Sequence, residues 1–107
     1  MGNRLKGKRV VVTQAESFMG PETVSLFEEE GAFVFPDNRD LRERGACEAL
    51  IKETGDVDVL IGNFASPSFS GIQVTDLSDE QLELPFEVMV YPLHRLTRAV
   101  LPQMIKR

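Results

Sequence analysis

Apolar positions along the chain fall into short blocks separated by polar and turn-forming residues. Arg9-Val-Val-Val-Thr13 is a β-branched run after a Gly-Lys turn and predicts a buried strand. Pro21 suits a first helical position, where its missing N–H would have no partner anyway. Val24 and Phe27 lie three apart and can face a core, and Gly31 suits the left-handed position that ends a helix. Glu28, Glu29 and Glu30 oppose the dipole at that end and read as solvated. Ala32-Phe-Val-Phe35 predicts a second strand, stopped by Pro36, with a polar loop over Asp37–Asp40. Leu41 to Thr54, with Leu41, Ala46, Ala49, Leu50 and Ile51 apolar, predicts a helix ended by Gly55. Val57-Asp-Val-Leu-Ile61 predicts a third strand whose continuous apolar end suits cover on both faces. Ser66 to Gly71 is a loop of turn formers. Ser78-Asp-Glu-Gln81 matches a capping box, so a long helix is expected from there toward Met104, kinked or divided by Pro85 and Pro92.

Strands alternating with helices favour a parallel sheet with right-handed crossovers. The expected architecture is α/β, the N-terminal half (βαβαβα) of a Rossmann-like doubly wound sheet. Residues 1–107 then form the first part of one domain, without its C-terminal half. Composition fits a folded domain rather than a disordered chain, with 42% hydrophobic and 27% charged residues. The net charge of −5 argues against non-specific nucleic-acid binding, which needs a basic face. One cysteine, Cys47, and one histidine, His94, exclude a disulfide framework and make a His/Cys metal centre a poor reading. No apolar run is long enough for a membrane helix, and the start lacks an apolar leader region, so a cytoplasmic protein without membrane contact is expected.

Several markers together resemble the N-terminal half of the short-chain dehydrogenase/reductase superfamily. They are Val10-Val-Val-Thr13, the following turn with Gly20, Gly31-Ala32, Asp58-Val-Leu-Ile-Gly-Asn63 and Arg98-Ala-Val-Leu-Pro-Gln-Met104. Against the superfamily's T-G-x-x-x-G-x-G turn, this chain has Gln14 and Phe18 in place of the first two glycines and keeps Gly20. Glycines there permit a tight turn and close approach of a pyrophosphate to bare amides. Glu16 adds a negative charge. The superfamily's N-N-A-G reads Gly62-Asn63-Phe64-Ala65, the segment between the second and third strands is too short for a further strand and helix, and the tetrad asparagine falls at Met89. Asp37, near the end of the second strand, is the one feature still compatible with NAD, though it also reads as a turn acid after Pro36.

The turn Thr13-x4-Phe18-x-Gly20 resembles that of the halohydrin dehalogenases, a cofactor-independent branch of the superfamily. The loop Asn63-Phe-Ala-Ser-Pro-Ser-Phe69 and the segment Pro92-Leu-His-Arg-Leu are also similar. The resemblance implies a carbon–halide lyase that closes vicinal halohydrins to epoxides with halide release and opens epoxides with small anions. It implies no cofactor. The halide and substrate pocket would draw on Thr13, Phe18, Gly20, Asn63, Phe64, Pro67 and Phe69. The catalytic serine, tyrosine and arginine or lysine would lie in the other half, so none is expected here. It further implies a homotetramer through the 78–104 helix. Tyr91 and Arg95, four apart, could touch on a helix but lack a serine partner. His94 reads as surface or interface, Cys47 as a small helix residue, and Asn63 as a binder of backbone across strands. Two alternatives stay open: an NAD(P)-dependent oxidoreductase with a degenerate glycine motif, and a non-enzymatic relative of the fold.

Overall fold

A computed structural model describes residues 2–107. Three parallel strands form one sheet in the order β2-β1-β3, with β1 at Arg9–Thr13, β2 at Phe33–Asp37 and β3 at Val59–Ile61. Helix α1 spans Gly20–Glu29 and α2 spans Ala46–Thr54. A single 3₁₀ turn at Val74–Asp76 leads to α3, Asp79–Pro85, a π-helical segment, Phe86–Val90, and α4, Tyr91–Lys106. The long region after β3 is thus one interrupted helix. Ser78 and Gln81 cap it reciprocally, each side chain bonding the other's backbone N–H. The interruption starts directly after Pro85, which has no N–H to give the preceding turn.

Alternation along β1 divides the core. Val10 and Val12 face α1 with Ala15, against Val24, Phe27, Val34, Val59 and Ile61. Val11 faces the other side with Leu41, Cys47, Leu50, Ile51, Val57, Leu96 and Val100, under α2 and α4. β1 is buried throughout apart from Arg9, as expected of a central strand covered on both faces. Asp58 ties the lower end of the sheet together. Its carboxylate accepts from the Arg9 N–H at 2.8 Å and from Arg107 at 2.8 Å.

Three boundaries differ from the sequence expectation. β2 runs through Pro36 to Asp37 rather than stopping before it. Phe33 donates to the Lys8 carbonyl, and Asp37 accepts from the Ala15 N–H. Backbone groups of 33, 35 and 37 therefore turn toward β1, while those of Val34 and Pro36 turn to the open edge, where proline loses no ladder bond. Helix α2 starts at Ala46, not Leu41, because Gly45 holds φ +79° and Asp40 turns the chain onto Arg42. β3 is shorter than expected and its three residues are half-buried, since the sheet has no fourth strand beside it among the described residues.

Candidate functional site

At the C-terminal ends of the strands lies an open groove of about 470 Å³. In open α/β sheets this is where ligands bind. One wall comes from the β1–α1 turn (Gln14, Ser17, Phe18), and a second from the loop after β2 (Asn38, Asp40, Leu41, Arg42). The third wall is apolar, made by Phe64, Ala65 and Pro67 after β3 with Leu84, Val88 and Pro92 from the interrupted helix.

The turn keeps an unusual backbone. Gln14 and Phe18 hold φ +46° and +52°, the left-handed region that favours glycine. A Cβ at Gly20 would collide with the Ala15 carbonyl, so only glycine fits there. The turn is held from below by Asn63. This buried side chain donates to the Gln14 and Ser17 carbonyls, each at 2.9 Å, while its backbone N–H donates to the Thr13 hydroxyl at 2.9 Å. The amides of Ala15, Glu16, Ser17 and Gly20 all have acceptors within the chain. Those of Phe18 and Met19, at the N-terminus of α1, have none among the described residues. An N-terminal amide pair at the positive end of a helix favours an anion.

Charged groups sit on the β2 side. Asp37 is buried, and both its oxygens accept from Arg39. Arg39 also pairs with Glu53 of α2, and these two partners, Glu53 first, raise its pKa. Arg42 forms a two-pronged pair with Asp40 at 3.0 and 2.9 Å. That side-chain bonding holds the Asp40 carboxyl below its ordinary range. Both arginines stay cationic.

The seven sequence candidates separate. Phe18, Asn63, Phe64 and Pro67 line the groove. Thr13 lies fully buried beneath it, bonded to the ends of β3, and Gly20 packs behind the turn. Phe69 lines neither this groove nor a second, shallower one beside β3. That second hollow holds Gly62, Phe64, Met89, Val90, Leu93 and His94. Met89 therefore lies off the first groove. The Arg95 guanidinium stacks over the Tyr91 ring at 5.7 Å, and neither residue reaches the first groove. Cys47 is buried against the Leu41 and Pro92 carbonyls, and burial pushes its thiol pKa up, which makes it a poor nucleophile. Sequence reasoning missed the groove residues Asn38, Asp40 and Arg42, which carry no motif. It also missed Leu84, Val88 and Pro92, whose spacing of four places them on one helical face and could have revealed them.

This sheet, with its crossovers and its groove at the strand ends, is the N-terminal half of the short-chain dehydrogenase/reductase fold. No family model matches the chain. It is similar to the uncharacterized oxidoreductase YvrD of Bacillus subtilis, 28% identical over 133 residues that cover 100% of this chain and 50% of that protein. Among solved structures it is similar to L-sorbose reductase from Gluconobacter frateurii, determined with NADPH and L-sorbose. That likeness has a TM-score of 0.86 at 21% identity and covers 100% of this chain and 51% of the other. A short-chain dehydrogenase/reductase from Burkholderia xenovorans gives a TM-score of 0.85 at 24% identity, covering 98% of this chain and 54% of the other. The chain spans about half the length of the proteins it matches. The alignment to YvrD is longer than the chain itself, so it passes over stretches that this chain lacks.

These likenesses correct the expectation of a halohydrin dehalogenase and a carbon–halide lyase. The matched proteins are oxidoreductases. The geometry supplies a reason for the error. Phe69, one of the residues the resemblance places in the pocket, stands outside the groove. The pattern Thr13-x4-Phe18-x-Gly20 names residue types and carries nothing of the left-handed backbone that Gln14 and Phe18 hold.

Proposed function

We propose that the chain is the nucleotide-binding half of an NAD(P)-dependent oxidoreductase of the short-chain dehydrogenase/reductase superfamily. One observation carries the reading. The turn holds left-handed angles at Gln14 and Phe18, against the preference of both residues, where the helix-terminal amides of Phe18 and Met19, which have no acceptor among the described residues, lie beside an open groove. Left-handed φ costs roughly 1–2 kcal/mol per non-glycine residue. A turn kept at that cost is expected where its backbone has work to do. The residues fit the phosphate part of a nicotinamide nucleotide. The Phe18 and Met19 amides would bond a phosphate oxygen, and Arg42 would supply charge from the opposite wall. The apolar wall of Phe64, Ala65, Pro67 and Val88 suits a flat ring and excludes water from it. When bound, the nicotinamide supplies hydride transfer to or from a small carbonyl or alcohol substrate. Within this reading residues 1–107 remain the first part of a single domain, and the whole protein's substrate is set outside them.

Glu16 and the Phe18 side chain oppose tight binding, the first by charge and the second by bulk. The test is a titration of the protein with NADH and NADPH followed by nicotinamide fluorescence, with inorganic pyrophosphate as competitor. Saturable binding that pyrophosphate weakens is expected. No saturable binding of either nucleotide would sink the proposal.

A further inference from the structure

We propose that the interrupted helix docks a second copy of this chain, antiparallel to the first and across a two-fold axis between Leu93 and His94. Leu82, Phe86, Val90, Leu93, Leu101 and Ile105 follow at three- or four-residue steps, with Thr97 filling the one eight-residue gap. Such steps keep residues on one helical face. All six apolar side chains are exposed, whereas Pro92, Leu96 and Val100 of the neighbouring face are buried. Val90, Leu93 and Thr97 line one shallow hollow, so the stripe continues past the π-helical segment. An apolar stripe of this length on an otherwise charged helix marks an association surface.

Assembly through the 78–104 helix leaves the direction of the second copy open, and charge decides it. Asp76, Asp79, Glu80, Glu83 and Glu87 make the first half acidic, with no Lys or Arg among them. Arg95, Arg98, Lys106 and Arg107 make the second half basic, with no Asp or Glu. Arg98 and Arg107 also pair with Glu48 and Asp58, but none of the five acids has an ion-pair partner among the described residues. A parallel copy would set acid on acid and base on base, whereas an antiparallel copy sets each half on its opposite. The stripe fits the same direction. About an axis between Leu93 and His94, Phe86 of each copy meets Leu101 of the other and Val90 meets Thr97, while Leu82 and Ile105 close the frayed ends. Glu83 and Glu87 lie one residue beyond Leu82 and Phe86, as Lys106 and Arg98 do beyond Ile105 and Thr97. These flanks adjoin in an antiparallel pair, so Glu83 meets Lys106 and Glu87 meets Arg98 across the seam. One patch serves both copies, so this contact closes at two.

The experiment weighs the purified protein by sedimentation equilibrium at rising concentrations up to about 100 μM. A reversible rise from 12.0 kDa to twice that mass is expected. A single species of 12.0 kDa at every concentration would overturn the inference. Direction is read by mixing Leu82→Cys with Ile105→Cys protein under mild oxidation, since Cys47 is buried and takes no part. Disulfides between the two variants are expected. Disulfides that form within each variant alone would show a parallel pair and overturn the inference. Glu83 and Lys106 are both exposed, so reversing their charges leaves the fold of each copy intact. Glu83→Lys and Lys106→Glu should each raise the dimer dissociation constant by about tenfold, and the double variant should restore it. A constant that neither change moves counts against the inference, as does a double variant weaker than either single one.

Discussion

At Phe18 a side chain and its backbone are in conflict. The ring is mostly exposed and gains little from burial, while φ +52° places its Cβ in the disfavoured left-handed region. Phe18→Gly should relieve about 1–2 kcal/mol of that strain. It should lose about 0.5–1 kcal/mol to the greater freedom of glycine in the unfolded chain. The expected net result is a variant more stable by roughly 0.5–1 kcal/mol in urea unfolding, with tighter NADH binding. Destabilisation would mean that the ring packs better than its exposure implies. This residue also shows why the site was only half legible. Reading glycine as the mark of a left-handed turn fails when other residues are forced into that turn by their surroundings, here by the Asn63 clamp beneath it. Asp58 is a second residue whose role needed the fold. The Arg9 N–H first, and then Arg107, hold its carboxyl below the ordinary carboxylate range. A depressed folded pKa gives stability that is present above the unfolded value, about 3.9, and lost as pH falls through the folded one. Unfolding followed from pH 6 down to pH 2 should show an acid-side loss, and Asp58→Asn should flatten that limb.

Among the elements, those whose signals are local were legible. β1, the Ser78 capping box and the break after Pro85 depend on residues within one turn of each other, and all three stand where the sequence puts them. The boundaries that moved depend on neighbours far along the chain. Pro36 reads as a strand stop until β1 is known to lie on the other side of it. In place, it is an edge device, since the outward-facing groups of β2 are those of Val34 and Pro36, and proline removes one of the donors. The Phe33 and Phe35 rings flank this edge, with the Arg9 guanidinium 5.5 and 4.8 Å from their centroids, and Phe33 is exposed. A β-edge rich in aromatic residues is an aggregation hazard unless blocked. Pro36→Thr restores an N–H that points outward and leaves the bonds to β1 intact. The expected outcome is an unchanged circular dichroism spectrum with a concentration-dependent rise in light scattering. A variant that stays as dispersed as the parent would show that the Arg9 cover, and not the proline, protects this edge.

For the molecule as a whole, the α/β order and parallel sheet followed from alternating strand and helix signals, because the period of each apolar block matches its element. The groove did not follow, because it is assembled from four separated segments whose only shared property is their position at one end of the sheet. The division of the core has a mechanical consequence. The sheet carries α1 on one face, while α2 and α4 are joined to the other through Leu96, which is fully buried among Val11, Leu50, Val57 and Val100. Pro92, one turn before Leu96 on α4, lines the groove. Leu96→Ala should therefore cost about 2.7–5 kcal/mol, the range for leucine truncation in a packed core. It should also loosen the apolar wall, so that nucleotide binding weakens before unfolding begins. Ile105 lies on the same helix but is 78% exposed, and Ile105→Ala should stay within about 0.5 kcal/mol of the parent. Urea unfolding alongside an NADH titration separates the two effects. If Leu96→Ala lowers stability and leaves affinity untouched, α4 supports the fold without setting the groove, and the apolar wall must be held by the loop after β3 alone.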